Sequence, residues 1–159
     1  MRVLIVSDTH GNHRNLDMVL ERVGKIDALI HMGDVENGEH YIEAAVDCET
    51  YIVAGNNDFF SFLPKEREFT LGEYNVFITH GHNYYVSMGT SRLKEEAKAR
   101  KADIVMYGHT HKPDLDLGDD VIVINPGSLS YPRQEGRKPT FVMMEIDADG
   151  EAHFKLEYV

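Results

Sequence analysis

The chain has little of several things. Its single cysteine, Cys48, rules out an internal disulfide and fits a reducing compartment. Basic residues are scarce: 16 Lys and Arg stand against 27 Asp and Glu, a formal charge of −11. A surface that acidic repels a phosphate backbone at long range, so broad nucleic-acid binding is not expected. It leaves room for a local positive site made by bound metal. Long apolar runs are missing too. Val3-Leu4-Ile5-Val6 is too short for the hydrophobic region of a signal peptide, and no stretch approaches a membrane span. A cytoplasmic location with no membrane partner is the expectation. There is no internal repeat and no low-complexity tract, and no motif would activate Cys48 or a serine as a covalent nucleophile.

What remains is an ordinary globular composition, 42% hydrophobic and 27% charged over 159 residues. That length supports one complete core and is short for two domains. Brief apolar runs read as buried strands: Val3–Val6, Ala28–Met32, Tyr51–Ala54, Val76–Thr79, Ile104–Tyr107 and Val121–Ile124. Leu16, Val19, Leu20 and Val23 fall on one helical face, with Asn12 placed to cap its start and Gly24 its end. Shorter helices are predicted over Glu39–Val46 and Ser91–Lys101. Leu117 to Val121 and Asp149-Gly150 read as hairpin turns, and Phe154, Leu156 and Tyr158 alternate as in a half-solvated strand. Pro126 to Pro139 reads as a surface loop. The order βαβαβ followed by hairpins predicts an α/β chain of mixed sheets covered by helices.

The strand ends share a chemistry. They read Ser7-Asp8-Thr9-His10, His31-Met32-Gly33-Asp34, Gly55-Asn56-Asn57-Asp58, Thr79-His80-Gly81-His82 and Gly108-His109-Thr110-His111. Ligands of open α/β sheets bind beyond the carboxyl ends of the strands. Imidazole, carboxylate and amide oxygen without thiolate suit borderline to hard divalent ions. Residues two apart on an extended segment point the same way, so Asp8/His10 and His109/His111 are each expected to converge. Seven candidate ligands exceed the needs of one tetrahedral ion and favour two. Asp34, alone on its strand end, has the chemistry of a bridging carboxylate.

Laid out in this order, the blocks Asp8-x-His10, Gly33-Asp34, Gly55-Asn56, His80 and Gly108-His109-x-His111 resemble the calcineurin-like metallophosphoesterase superfamily, in particular its small phosphodiesterase-like branch. Asn125-Pro126-Gly127-Ser128 resembles a turn of that branch. The resemblance implies a single such domain over residues 1–159, built as an α+β sandwich of two packed mixed β-sheets flanked by helices. It implies one metal on Asp8, His10 and His111, another on Asn56, His80 and His109, and Asp34 bridging both. The implied activity is a metal-dependent phosphodiesterase using a metal-activated hydroxide on a small phosphoester substrate. Mn²⁺ is the first choice for both ions, ahead of Fe, Ni or Zn. One position departs from the pattern: many members carry a His after the Gly-Asn asparagine, and here it is Asn57. An amide hydrogen-bonds a phosphoryl oxygen but gives no proton near neutral pH. His82 is the candidate substitute, so the catalytic set is Asp34, Asn57 and His82.

Two alternatives accompany this reading. One is a metal-binding interaction scaffold without turnover, since the same branch includes a subunit of the retromer coat. For that role Phe59-Phe60-Ser61-Phe62-Leu63 would form an exposed patch for a partner or for a homo-oligomer, although packing against a sheet edge is the expected arrangement. The other is a phosphomonoesterase or nucleotide pyrophosphatase.

Overall fold

The computed structural model describes residues 1–118 and 120–159. Ten strands form two five-stranded sheets. The first has the order β10-β9-β1-β2-β3, from β1 (Arg2–Val6), β2 (Ala28–His31), β3 (Glu49–Ile52), β9 (Thr140–Ile146) and β10 (Ala152–Tyr158). The second has the order β4-β5-β6-β8-β7, from β4 (Glu66–Leu71), β5 (Tyr74–Thr79), β6 (Ile104–Met106), β7 (Pro113–Asp116) and β8 (Ile122–Pro126). Both sheets are mixed. The triplets β1-β2-β3 and β5-β6-β8 run parallel, and antiparallel strands complete each sheet.

The continuous apolar runs follow from burial on both faces. Val3, Ile5, Ile30, Met32 and Val53 of the first sheet meet Val76, Ile78, Ile104, Met106 and Ile124 of the second in the central core. Their alternates Leu4, Val6, Leu29 and Ile52 pack under α1 (Arg14–Val23) and α2 (Glu39–Ala44), through Leu16, Val19 and Ile42. Phe77, Val105 and Val123 pack under α3 (Ser91–Ala99), through Leu93 and Ala97. The result is the expected pair of mixed sheets flanked by helices.

Several local expectations need correction. Helix α1 begins one residue later than predicted, with His13 at the cap position. His13 makes no side-chain cap bond, and Asn12 still supplies the capping contact expected of it, its Oδ1 accepting from the Arg14 amide at 3.3 Å. Strand β4 was not predicted, because Glu66 to Leu71 is a polar-rich edge strand. The 127–139 segment is not simply a surface loop, since Ser128 and Leu129 are fully buried in it. The turn between β7 and β8 falls where expected, with Asp119 itself outside the described residues. The phenylalanines do not pack on a sheet edge: Phe59, Phe60 and Phe62 are 80%, 94% and 104% exposed.

Candidate metal centre and active site

All the parallel strands of each sheet open at one end, and there the loops are zipped together. Asp8 N donates to Gly33 O at 3.1 Å, His10 N to Asp34 O at 2.9 Å, and Gly108 N to His80 O at 3.1 Å. The backbone there is unusual. Asp8, His10, Asp34, His109 and His111 all have positive φ, between 47° and 67°. Non-glycine residues seldom adopt this region, and clusters of them mark functional sites. This also corrects one expectation. The His109–His111 stretch is not extended, yet both rings still reach the cluster, His111 beside Asp8 and His109 beside Asn56. Gly33 is required by close approach as well as by its φ of 94°: a Cβ there would lie 2.6 Å from Gly55 N and 2.9 Å from His80 Nδ1.

The seven predicted ligands come together. The ligand atoms of Asp8, His10, Asp34 and His111 lie within 4.8 Å of one another. His80 Nε2 joins them at 3.5 Å from Asp34 Oδ2 and 4.0 Å from Asp8 Oδ1. Asn56 Oδ1 lies 3.1 Å from His80 Nε2 and 2.9 Å from His109 Nδ1.

The hydrogen-bond roles around these atoms decide what the cluster suits. His80 Nδ1 is 2.6 Å from Met32 O, and His111 Nδ1 is 2.7 Å from Tyr131 O. A carbonyl only accepts, so each Nδ1 carries the proton and each Nε2 turns a lone pair inward. His10 is fixed the same way by Glu36 Oε1 at 2.7 Å from its Nδ1. The inward lone pairs then face other acceptors. His10 Nε2 meets His111 Nε2 at 3.3 Å, and His111 Nε2 meets Asp8 Oδ1 at 3.2 Å. Asp8 is fully buried, and its carboxylate oxygens have no partner except through a proton on His111. Acceptors packed against acceptors are stable only around a cation or a proton. The donor set of imidazole, carboxylate and amide oxygen, each imidazole oriented through its other nitrogen, fits divalent metal.

Protonation agrees with this geometry. Burial works to raise the Asp8 pKa, but the bond from His111 and the charges of His80 and His111 outweigh it and hold the carboxyl below its usual value. Burial works to lower that of His111, yet its contact with Asp8 pushes it up. Without metal, a proton on His111 thus takes up part of the cation's role. His109 and His82 are pushed down, first by burial and then by neighbouring imidazoles.

Asn57 does not point toward an open substrate position. Its side-chain amide donates to Asp34 Oδ2 at 2.8 Å and its backbone N–H to Asp34 Oδ1 at 2.9 Å. His82 lies beside the centre, its ring 5.4 Å from that of His80 and 6.1 Å from that of His109, with a buried Nδ1 that has no partner.

Several supporting residues carry little sign of their role in the sequence. Asp58 accepts from Gly55 N and Glu36 N, both at 2.7 Å, and from Val35 N at 3.3 Å, tying the second loop to the third. Buried His31 accepts from Gly33 N at 3.1 Å and so donates through Nε2 to Thr9 Oγ1 at 3.0 Å. Ser128 Oγ donates to Asp8 O at 2.9 Å, and Asn125 Nδ2 to Gly108 O at 3.0 Å. Asn125 and Ser128 were legible as a turn, and Asp58 as part of the third strand end. Nothing in their spacing disclosed what they hold.

Residues 1–149 match the calcineurin-like phosphoesterase superfamily domain. A phosphodiesterase of Methanocaldococcus jannaschii, MJ0936, is 32% identical over 145 residues, covering 80% of this chain and 83% of its own. A conserved protein of Streptococcus pneumoniae TIGR4, described as a predicted phosphoesterase, superposes with a TM-score of 0.80 at 29% identity, covering 99% of this chain and 97% of its own. A Vps29 variant from Entamoeba histolytica superposes equally well, TM-score 0.80, over 100% of this chain and 99% of its own, but at 23% identity it shares the fold alone. On its family match, its sheets and its ligand cluster, the chain belongs to the calcineurin-like phosphoesterase superfamily.

Proposed function

We propose that this protein is a metal-dependent phosphodiesterase with a dinuclear centre. The observation that carries the proposal is the convergence of inward lone pairs and the bare Asp8 carboxylate on one buried point. Asp8, His10 and His111 would hold one divalent ion, and Asn56, His80 and His109 the other. Asp34 would bridge the two, its Oδ2 lying 3.8 Å from His10 Nε2 and 3.5 Å from His80 Nε2. When bound, two such ions lower the pKa of water and neutralise phosphoryl charge.

The protein's own groups shape the rest. Only two ligands, Asp8 and Asp34, are anionic, so the loaded centre stays net positive and draws a phosphoester into an acidic molecule. Asn57 positions Asp34 through its two hydrogen bonds and has no proton to supply. His82, its pKa pushed down, is a neutral ring at pH 7 and a poor proton donor. Esters with good leaving groups are therefore the preferred substrates.

The test is hydrolysis of activated aryl phosphodiesters and monoesters by protein supplied with Mn²⁺, Fe²⁺, Ni²⁺ or Zn²⁺, alongside metal stoichiometry. Diester cleavage with two metals per chain is expected. Asp34→Asn should lose roughly a hundredfold or more of the activity together with metal, a cost at least that of removing a supporting group. Full metal loading with no turnover of any ester would favour the scaffold reading instead. The specific support for that reading is the exposure of Phe59, Phe60 and Phe62.

A further inference from the structure

The exposed phenylalanines are not on a frayed segment. Asp58 anchors the loop at one end through three backbone N–H groups, and Leu63 packs partly buried against the helix-side core at the other. Between these anchors Ser61 N donates to Asp58 O at 3.3 Å, Leu63 N to Ser61 Oγ at 3.0 Å, and Ala54 N to Pro64 O at 2.8 Å. An ordered loop that holds aromatic rings in water is doing so at a cost, because soluble proteins keep large apolar patches few.

Phe59 and Phe60 line a groove of about 360 Å³ together with Glu36, Asn37, Asn57, Asp58 and Ser61. The groove borders the metal-ligand cluster, since two of its lining residues contact ligands: Glu36 holds His10 through Nδ1 and Asn57 holds Asp34. No Lys or Arg lines it, and its two carboxylates are engaged, Glu36 by His10 and Asp58 by backbone N–H groups. It offers nothing to a second phosphate. It offers the exposed rings of Phe59 and Phe60 and the amide of Asn37 to an uncharged planar group.

We infer that Phe59 and Phe60 form the specificity wall of the site and receive a planar aromatic group, aryl or nucleobase, attached to the phosphoryl centre. The inference rests on the phosphoesterase reading. Stacking of a ring on an aromatic side chain contributes about 1–3 kcal/mol, enough for a tenfold preference or more. The long-range repulsion of a chain with charge −11 confines the class to small esters rather than polymeric nucleic acid.

The experiment is calorimetric titration of the Mn²⁺-loaded protein with methylphosphonate, phenylphosphonate and adenosine monophosphate, which reads binding without turnover. Phenylphosphonate should bind roughly tenfold more tightly than methylphosphonate, and the F59A/F60A double variant should bring the two within about twofold while leaving methylphosphonate affinity in place. Tight adenosine monophosphate binding that is lost in the same variant assigns the wall to a nucleobase; its absence confines the wall to compact aryl groups. Equal affinities for the two phosphonates in the wild type overturn the inference. So does a wild-type dimer that F59A/F60A dissolves with no change in either phosphonate affinity, which would make the patch a self-interface. Binding of neither phosphonate, together with failure to hydrolyse any ester, overturns the phosphoesterase reading itself, an outcome distinct from the loss of ring preference.

Discussion

At the scale of single residues, two histidines with opposite shifts set how the metal-free protein responds to pH. His31 is fully buried and held near pKa 4, chiefly by burial, whereas the unfolded chain protonates it near 6.5. Between those values the unfolded state takes up a proton that the folded state refuses, so stability is complete above pH 6.5 and falls as pH drops toward 4. A shift of that size corresponds to about 3 kcal/mol. His111 runs the other way: its raised pKa stabilises the folded state below 6.5 and loses that contribution as pH rises through the folded value. Urea denaturation of chelator-treated protein across this range should show a net loss on acidification, and His31→Gln, which cannot titrate, should flatten it. An unchanged slope in that variant would remove His31 from the account. The same proton on His111 must leave before its Nε2 can hold a metal. Metal titrations in buffers of different ionisation enthalpy, near pH 6.5, should therefore reveal proton release that His111→Ala abolishes. The ligand types were legible in the sequence because Asp-x-His, Gly-Asp and Gly-His-x-His are local. His31 was not, because nothing in the sequence shows that its ring joins Thr9 to Gly33.

At the scale of elements, the doubly buried strands were the easy part, since Val3-Leu4-Ile5-Val6 and its counterparts leave no alternation to confuse. Strand β4 was hidden because Glu66, Arg67 and Glu68 place charge on an edge, where only one side of the strand is paired. The 127–139 segment departs from a surface loop for a related reason: its polar composition suits exposure, yet its polar groups serve the buried end of β1. Ser128 shows this most sharply. Its hydroxyl donates to Asp8 O and accepts from Ser130 N at 3.1 Å and Tyr131 N at 2.8 Å, and Tyr131 O in turn orients His111. Ser128→Ala leaves these buried groups unpaired and should cost about 1–3 kcal/mol of stability. It should also weaken metal binding by roughly tenfold or more, as removal of groups that orient ligands does. Ser128→Thr, which keeps the hydroxyl, should restore much of both. Denaturation and metal titration of the two variants check the expectation, and a stability loss in Ser128→Ala with wild-type metal affinity would confine the loop to a packing role.

At the scale of the whole molecule, the candidate ligands divide between the sheets. Asp8, His10, Asp34 and Asn56 follow β1, β2 and β3 of the first sheet, while His80, His109 and His111 follow β5 and β6 of the second. The core between the sheets is apolar and non-directional, built from residues such as Ile5, Met32, Ile78 and Met106. At their carboxyl ends, by contrast, the two sheets meet through imidazoles and carboxylates that only a proton or a cation can pair. Bound metal would make that rim a clamp between the two sheets. The stabilisation follows mass action: metal at a thousandfold over its dissociation constant contributes about 4 kcal/mol for one site. For a chain of this size each kcal/mol moves Tm by about 2–4 °C, so saturating metal should raise Tm by roughly 8–16 °C. Asp34→Asn should lose most of that rise. Hydrogen exchange gives the discriminating measurement, because a clamp must slow the loop amides after β5 and β6 together with those after β1 to β3. Gly108 N and Asp8 N, bonded to His80 O and Gly33 O, report the two sides. Protection confined to one sheet's loops would mean that metal sits on that sheet alone, and the bridging role of Asp34 would fall with it.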